Sequence, residues 1–243
     1  MTAVTASPRR TGGPRILNVV RMQLVNRQTY VWIPLIVLFG TLLITLAIWG
    51  VIIGNGGSGN LFGGGAQAPL WYFGVVGVQA LTLTFPFSQA MSVSRREFFF
   101  GTLLTAAMTA LILAIVFVLG AFIETVTNGW GMNGYFFALP GIWDAGAAVA
   151  GLFYFSIAML FFIVGFTSAT IYKRFGGIAL TVVLVGLGAL LVLAMFLIGR
   201  LNAWGPVFTW FAELGILGGA FLVLGVVAVL SATAYGILRR ATP

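Results

Sequence analysis

Six uninterrupted apolar runs, each about as long as a hydrocarbon core is thick, set the limits within which this chain folds. They extend roughly from Val31 to Ile53, Trp71 to Val93, Thr102 to Ile123, Ala147 to Ile171, Gly177 to Ile198 and Gly215 to Leu238. A helix needs about 20 residues to span a bilayer core, and in lipid every backbone N–H and C=O must bond within its own segment or within a closed barrel. Runs of this length, without the alternation of barrel strands, choose helices. Only 7% of the 243 residues are charged and 60% are hydrophobic, so a water-soluble globule could not hide the apolar surface. The expected fold is an all-α membrane protein with six transmembrane helices. Residues 14–243 form its single domain, behind a flexible cytoplasmic tail over residues 1–13.

Orientation follows from the basic residues. Five arginines precede the first run, Arg95 and Arg96 separate the second from the third, Lys173 and Arg174 the fourth from the fifth, and Arg239 and Arg240 follow the sixth. Only Arg200 falls in an alternate loop, so eleven of the twelve basic residues share one side. The positive-inside rule makes that side the cytoplasm and places both termini there, in the inner (cytoplasmic) cell membrane. Trp49, Trp71, Trp130, Trp143, Trp204 and Trp210 then cluster near the outer interface as an aromatic belt. The net charge of +8 comes in small groups between apolar runs, not as a stripe with interleaved stacking rings, which argues against nucleic acid.

Between Pro14 and Gln28 the pattern is amphipathic. Ile16, Leu17, Val20 and Leu24 share one face, as expected of a helix lying along the membrane surface. The apolar run that follows is too long for the core of a cleavable signal. The stretch Gly54–Gln67, GNGGSGNLFGGGAQ, reads as a flexible outer loop. Asn128–Trp143 carries Trp130, Tyr135, Phe136 and Phe137 and is expected to dip into the outer interface, with Glu124 and Asp144 solvated beside it.

The chain has no cysteine, no histidine and a single lysine, Lys173, outside any Gly-rich phosphate loop. It therefore lacks thiolate and imidazole metal ligands and a nucleotide site of its own, and the reading is of a non-enzyme with no cofactor or metal on this chain. No acid falls at the middle of a run, where proton- or sodium-coupled carriers keep their ionisable groups. The second run is the polar one. Gln79, Thr82 and Gln89 recur at helical spacing around Pro86, either bonding to neighbouring helices or lining a translocation route. Pro86 predicts a kink. Gly186, Gly188, Gly215, Gly218, Gly219 and Gly225 are expected at helix–helix contacts, Gly215 and Gly219 as a G-x-x-x-G pair.

The segment Ser92-Val93-Ser94-Arg95-Arg96-Glu97-Phe98-Phe99-Phe100-Gly101-Thr102-Leu103 resembles the Ser-Arg-basic-Glu-aromatic-Gly stretch between spans two and three in permease subunits of type-2 ABC exporters. The layout is similar too: an interfacial helix, six spans and cytoplasmic termini. The resemblance implies that Arg95, Arg96, Glu97, Phe98 and Phe99 form a coupling helix seated in a separate ABC-type ATPase subunit. ATP and Mg would then be bound on that partner, and a second permease chain, identical or not, would complete the membrane part. Family members often carry helical hairpins before the last span, and here only Arg200–Leu214 is available, so any such element is short. Two other readings keep the six spans: a vitamin-importer capture subunit, whose Ala-x-x-x-Ala docking pair is missing from Val31–Ile53, and a non-transporting scaffold.

Overall fold

With almost no charged side chain to interrupt them, the apolar runs propagate as helix through nearly the whole computed structural model, which describes residues 13–239. The expected tail lies outside the described residues apart from Gly13. α1 is Gly13–Val25. A π-helical turn, Gln28–Trp32, leads into α2, Ile33–Gly54. A short strand β1, Leu61–Phe62, and a 3₁₀ turn, Gly64–Gln67, precede α3, Ala68–Gln79. A second π turn, Ala80–Thr84, connects α3 to α4, Phe85–Ala90. There follow α5 (Arg95–Val126), β2 (Gly134–Tyr135), a 3₁₀ turn at Trp143–Ala145, α6 (Ala147–Arg200) and α7 (Trp204–Arg239).

Among the described residues, five helical stretches are long and apolar enough to cross a membrane: Gln28–Gly54, Gly64–Ala90, Arg95–Val126, Ala147–Arg200 and Trp204–Arg239. Six runs become five because α6 joins the fourth and fifth. Its 54 residues would reach roughly 80 Å if straight. It is interrupted at Gly176, where φ is 83° and ψ 177°, and α7 is interrupted in nearly the same way at Gly215 (φ 62°, ψ −179°). That region is essentially closed to residues with a Cβ. Residues 204–214, between the α6–α7 turn and Gly215, form the short helical element that the sequence leaves room for.

The ends of these segments fix their directions. At an arginine-rich end, Arg174 Nη1 donates to the Ile237 carbonyl at 3.3 Å. At the opposite end, Asp144 and Phe153 line one cavity with Phe211, Gly219 and Leu222. Residues 147–175 and 215–239 therefore run the same way, and residues 177–200 must return between them.

The π turns at Gln28–Trp32 and Ala80–Thr84 each run into a proline, unlike a third π-type turn at Gly129–Asn133. The pyrrolidine ring clashes with the carbonyl four residues back, which is Tyr30 for Pro34 and Thr82 for Pro86. Each of those residues lies in a π turn, whose wider i→i+5 spacing accommodates the missing bond. At Pro86, where a kink is expected, the chain takes such a π turn.

α6 packs against α3, α5 and α7, and the tightest crossing is with α3. A Cβ on Gly77 would meet the Phe162 carbonyl, and one on Gly165 would meet the Gly74 carbonyl. These are the glycines that bring backbones together. Those expected to do so, Gly186, Gly188, Gly215, Gly219 and Gly225, have open space where a Cβ would stand, and Gly218 meets only its own Leu214. Residues 177–200 are exposed almost throughout, so within this chain the small residues there have nothing to approach.

α1 lies against α5. Its buried face is Val19, Val20 and Gln23, with Leu17 52% exposed, so it is rotated from the expected face. Gly101 sets the rotation, since a Cβ there would come within 2.6 Å of Val19 Cβ. Within the stretch expected as a flexible outer loop, short regular pieces form. β1 pairs in parallel with β2, Leu61 opposite Gly134 and Phe62 opposite Tyr135, and Ala66 is buried. Trp49, at the end of α2, lies buried against Gly134 of the loop that follows α5.

The Gly77 crossing leads to a stability contrast. Gly77→Leu should destabilise the protein by at least the roughly 1–3 kcal/mol of an overpacked core. Gly219→Leu, facing open space, should leave the thermal midpoint of the detergent-solubilised chain unchanged. Equal midpoints for the two variants would show that the α3–α6 approach does not hold the bundle.

Candidate functional site

The segment from Ser94 to Gly101, expected as a coupling helix between spans two and three, is helical and continuous with the third span as the beginning of α5. Ser94 is the N-cap (φ −68°, ψ 150°) and Glu97 completes a capping box. The Glu97 amide donates to Ser94 Oγ at 3.2 Å, and the Ser94 amide and hydroxyl donate to Glu97 Oε2 at 3.0 and 2.7 Å. The sequence Ser-Arg-Arg-Glu is the S-x-x-E pattern that satisfies the free amides of a helix start. Arg15 of α1 adds an ion pair, Nη1 to Glu97 Oε1 at 3.7 Å.

Arg95 reaches the other way. Its Nη1 donates to the carbonyls of Leu238 (3.4 Å) and Arg239 (3.2 Å), near the end of α7. With Arg174 on Ile237, two guanidiniums stand at the negative end of that helix dipole. Phe98 and Phe99 point inward, 0% and 4% exposed. Phe98 meets Phe85 edge-on at 5.0 Å between ring centroids, and Phe99 lies 5.1 Å from Tyr235 and 5.9 Å from Phe166. One turn deeper, Gln23 Nε2 donates to Thr102 Oγ1 at 2.7 Å in a buried bond between α1 and α5.

Of the five residues expected to meet a partner, only Arg96 is exposed with no hydrogen bond or ion pair to another of the described residues. Glu97 and Arg95 are engaged within the chain, and Phe98 and Phe99 belong to its core because α4, α6 and α7 close over them. The exposed neighbour is Phe100, with the Arg96 guanidinium carbon 5.9 Å from its ring centroid. The helical spacing of the three phenylalanines separates Phe100 from the inward pair, but that distinction needs the start of α5 to be known.

Gln79, Thr82, Pro86 and Gln89 are not brought together. Thr82 Oγ1 donates to the Val78 carbonyl at 2.9 Å and Gln89 Nε2 to the Val93 carbonyl at 3.0 Å, so both serve their own backbone. Pro86 is exposed and Gln79 half-buried. No hydrogen bond joins any of the four to another among the described residues. No group of three His, Cys, Asp or Glu side chains gathers among the described residues either.

At the opposite end the structure holds a polar centre that the sequence reading places in water. Glu124 is 1% exposed. It accepts hydrogen bonds from the Trp130 indole (3.0 Å) and from three successive amides, Phe136 and Phe137 at 3.0 Å and Ala138 at 2.9 Å. Tyr154 closes the same loop by donating to the Phe137 carbonyl at 2.8 Å. Asn128, Gly129, Trp130 and Gly131 all have positive φ, between 51° and 74°. A bulky residue such as Trp130 seldom adopts that conformation, and its bond to Glu124 holds it there. The signal in the sequence is the run Asn-Gly-Trp-Gly-Met-Asn-Gly, whose Asn and Gly residues tolerate left-handed backbone.

Glu124→Ala should leave those amides without an acceptor, at about 1–3 kcal/mol for an orphaned buried group. Hydrogen exchange at Phe136, Phe137 and Ala138 should accelerate at least tenfold while α5 stays protected; unchanged exchange would mean that the loop is held by apolar packing alone. In comparisons with known proteins, no family model, no curated protein and no solved structure matches this chain.

Proposed function

We propose that this chain is the permease subunit of an ATP-driven exporter of the type-2 ABC class. In this reading it crosses the inner (cytoplasmic) membrane six times with both ends in the cytoplasm. It works as a pair with a second permease chain, and a separate ATPase subunit binds ATP and Mg. The observation that carries the reading is the set of ties at the start of α5. Arg15 and Gln23 join it to α1, Phe98 to α4, Phe99 to α6 and Arg95 to α7. A force applied by a partner at residues 91–97 reaches all of these helices at once, as coupling between a soluble motor and a membrane route requires. Arg96 and Phe100 are the side chains left facing outward to receive it.

Six crossings are supported by the break at Gly176 and by the opposed course of residues 177–200. Their cytoplasmic orientation is supported by the eleven basic residues on one side. Lys173→Cys and Leu201→Cys test the count. An impermeant thiol reagent should label Leu201→Cys in intact cells and Lys173→Cys only after permeabilisation. Labelling of both from one side would leave five crossings.

The coupling reading is tested by Arg96→Glu and Phe100→Ala. Burying a Phe ring contributes about 1.5–3 kcal/mol, so loss of the Phe100 contact should lower co-purification with the ATPase by tenfold or more, with normal membrane insertion. Wild-type chain that never retains an ATPase would overturn the exporter reading. Retention unaffected by either variant would remove this face from the interface.

A further inference from the structure

Positive charge at the arginine-rich end exceeds what the described chain neutralises there. Arg95, Arg96, Lys173, Arg174 and Arg239 gather at this end, and the acid beside them, Glu97, is already engaged by Ser94 and Arg15. Between two of these cations lies a cavity of about 460 Å³, lined by Arg174, Thr233, Gly236, Ile237 and Arg239.

The cavity is organised for an oxyanion. The Arg174 guanidinium carbon sits 4.7 Å from the Phe175 ring centroid and that of Arg239 5.7 Å from the Tyr235 centroid, so each cation rests on an aromatic neighbour. Arg174 gives one N–H to the Ile237 carbonyl, and a guanidinium carries five in a fork that matches phosphate. Thr233 Oγ1 donates to the Val229 carbonyl at 2.9 Å, which spends its proton. Gly236 lines the cavity, and a Cβ there would meet nothing within 4 Å. Below it, Val229, Val226 and Leu222 are exposed and follow at helical spacing on the same face of α7. A polar mouth with two cations thus continues into an apolar track along a helix long and apolar enough to cross a membrane. A small soluble anion has no use for that track, and a soluble partner protein does not reach down it.

We propose that this cavity binds the phosphate of an anionic phospholipid, with Arg174 and Arg239 as its ligands and an acyl chain along Val229, Val226 and Leu222. The site depends on α6 and α7 lying in a membrane and is independent of coupling to an ATPase, which the test omits.

The purified chain is incubated with equal amounts of phosphatidylglycerol and phosphatidylcholine, and the lipid retained is counted by native mass spectrometry. The wild type should retain phosphatidylglycerol at least tenfold over phosphatidylcholine, and Arg174→Gln combined with Arg239→Gln should abolish the preference. Gly236→Leu is the decisive variant. It changes no charge and enters open space, so the thermal midpoint without lipid should hold while phosphatidylglycerol retention falls at least tenfold. Wild-type retention by Gly236→Leu would reduce the effect to diffuse charge attraction and overturn the site. Equal retention of the two lipids would overturn it as well. Displacement of phosphatidylglycerol by millimolar inorganic phosphate would assign the cavity to free phosphate instead.

Discussion

Between helices surrounded by lipid there is no water to expel, so their attraction depends on how closely the backbones approach and on which polar groups they share. In this chain the approach is closest where Gly74, Gly77 and Gly165 bring α3 against α6. It continues along α5, whose buried stripe is built largely of small residues: Gly101, Thr102, Thr105, Ala106, Thr109, Ala110, Ala114, Gly120 and Ala121. Threonines on that stripe satisfy their own hydroxyls, Thr105 on the Gly101 carbonyl and Thr109 on that of Thr105. Residues 177–200 lack such a face. Valine and leucine surround that segment on all sides, and it is exposed almost throughout.

The few charged side chains act mainly on the backbone. Glu97 compensates the free amides at the start of α5, Arg95 and Arg174 the free carbonyls near the end of α7, and Glu124 three amides of a loop. Hydrogen bonds in which one partner is ionised are about twice as strong as neutral ones, and the low dielectric of the surroundings raises their weight further. Arg95, Arg174 and, through Arg15, Glu97 join segments far apart in sequence, and Glu124 ties a loop to the end of α5, so a handful of charges acts at both ends of the bundle. The start of α5 is the densest example, because capping, ion pairing and aromatic packing fall within two helical turns.

The helical class and most span positions were legible because a run of about 20 apolar residues permits little else. Partners were not. Which glycines touch a neighbour depends on tertiary placement, and Gly77 looks no different in sequence from Gly219. The rotation of α1 was set by Gly101, which lies far along the chain. Glu124 was misread for a similar reason: an acid beside a glycine-rich loop looks solvated until the loop folds back to present its amides. The capping box in Ser94-Arg95-Arg96-Glu97 was readable as a helix start, yet its resemblance to a coupling segment drew attention to an outward role. The structure turns two of the three following phenylalanines into core. For the polar row of the second run, the π turn at Ala80–Thr84 interrupts the regular α spacing on which the row was read.

The π turn at Ala80–Thr84 carries a consequence for that row. One residue more than an α turn delays everything after it by about 100°. Gln79 and Gln89, neighbours on an ideal wheel, end about 180° apart by the same count. The turn acts as a phase slip that re-indexes which side chains share a face on either side of it. Loss of one residue within Ala80–Thr84 would cost the helix only about 1.5 Å of length and would rotate the whole of α3 relative to α4. In such a helix, a single-residue insertion or deletion near the proline changes the chemistry presented to the bundle more than most substitutions can.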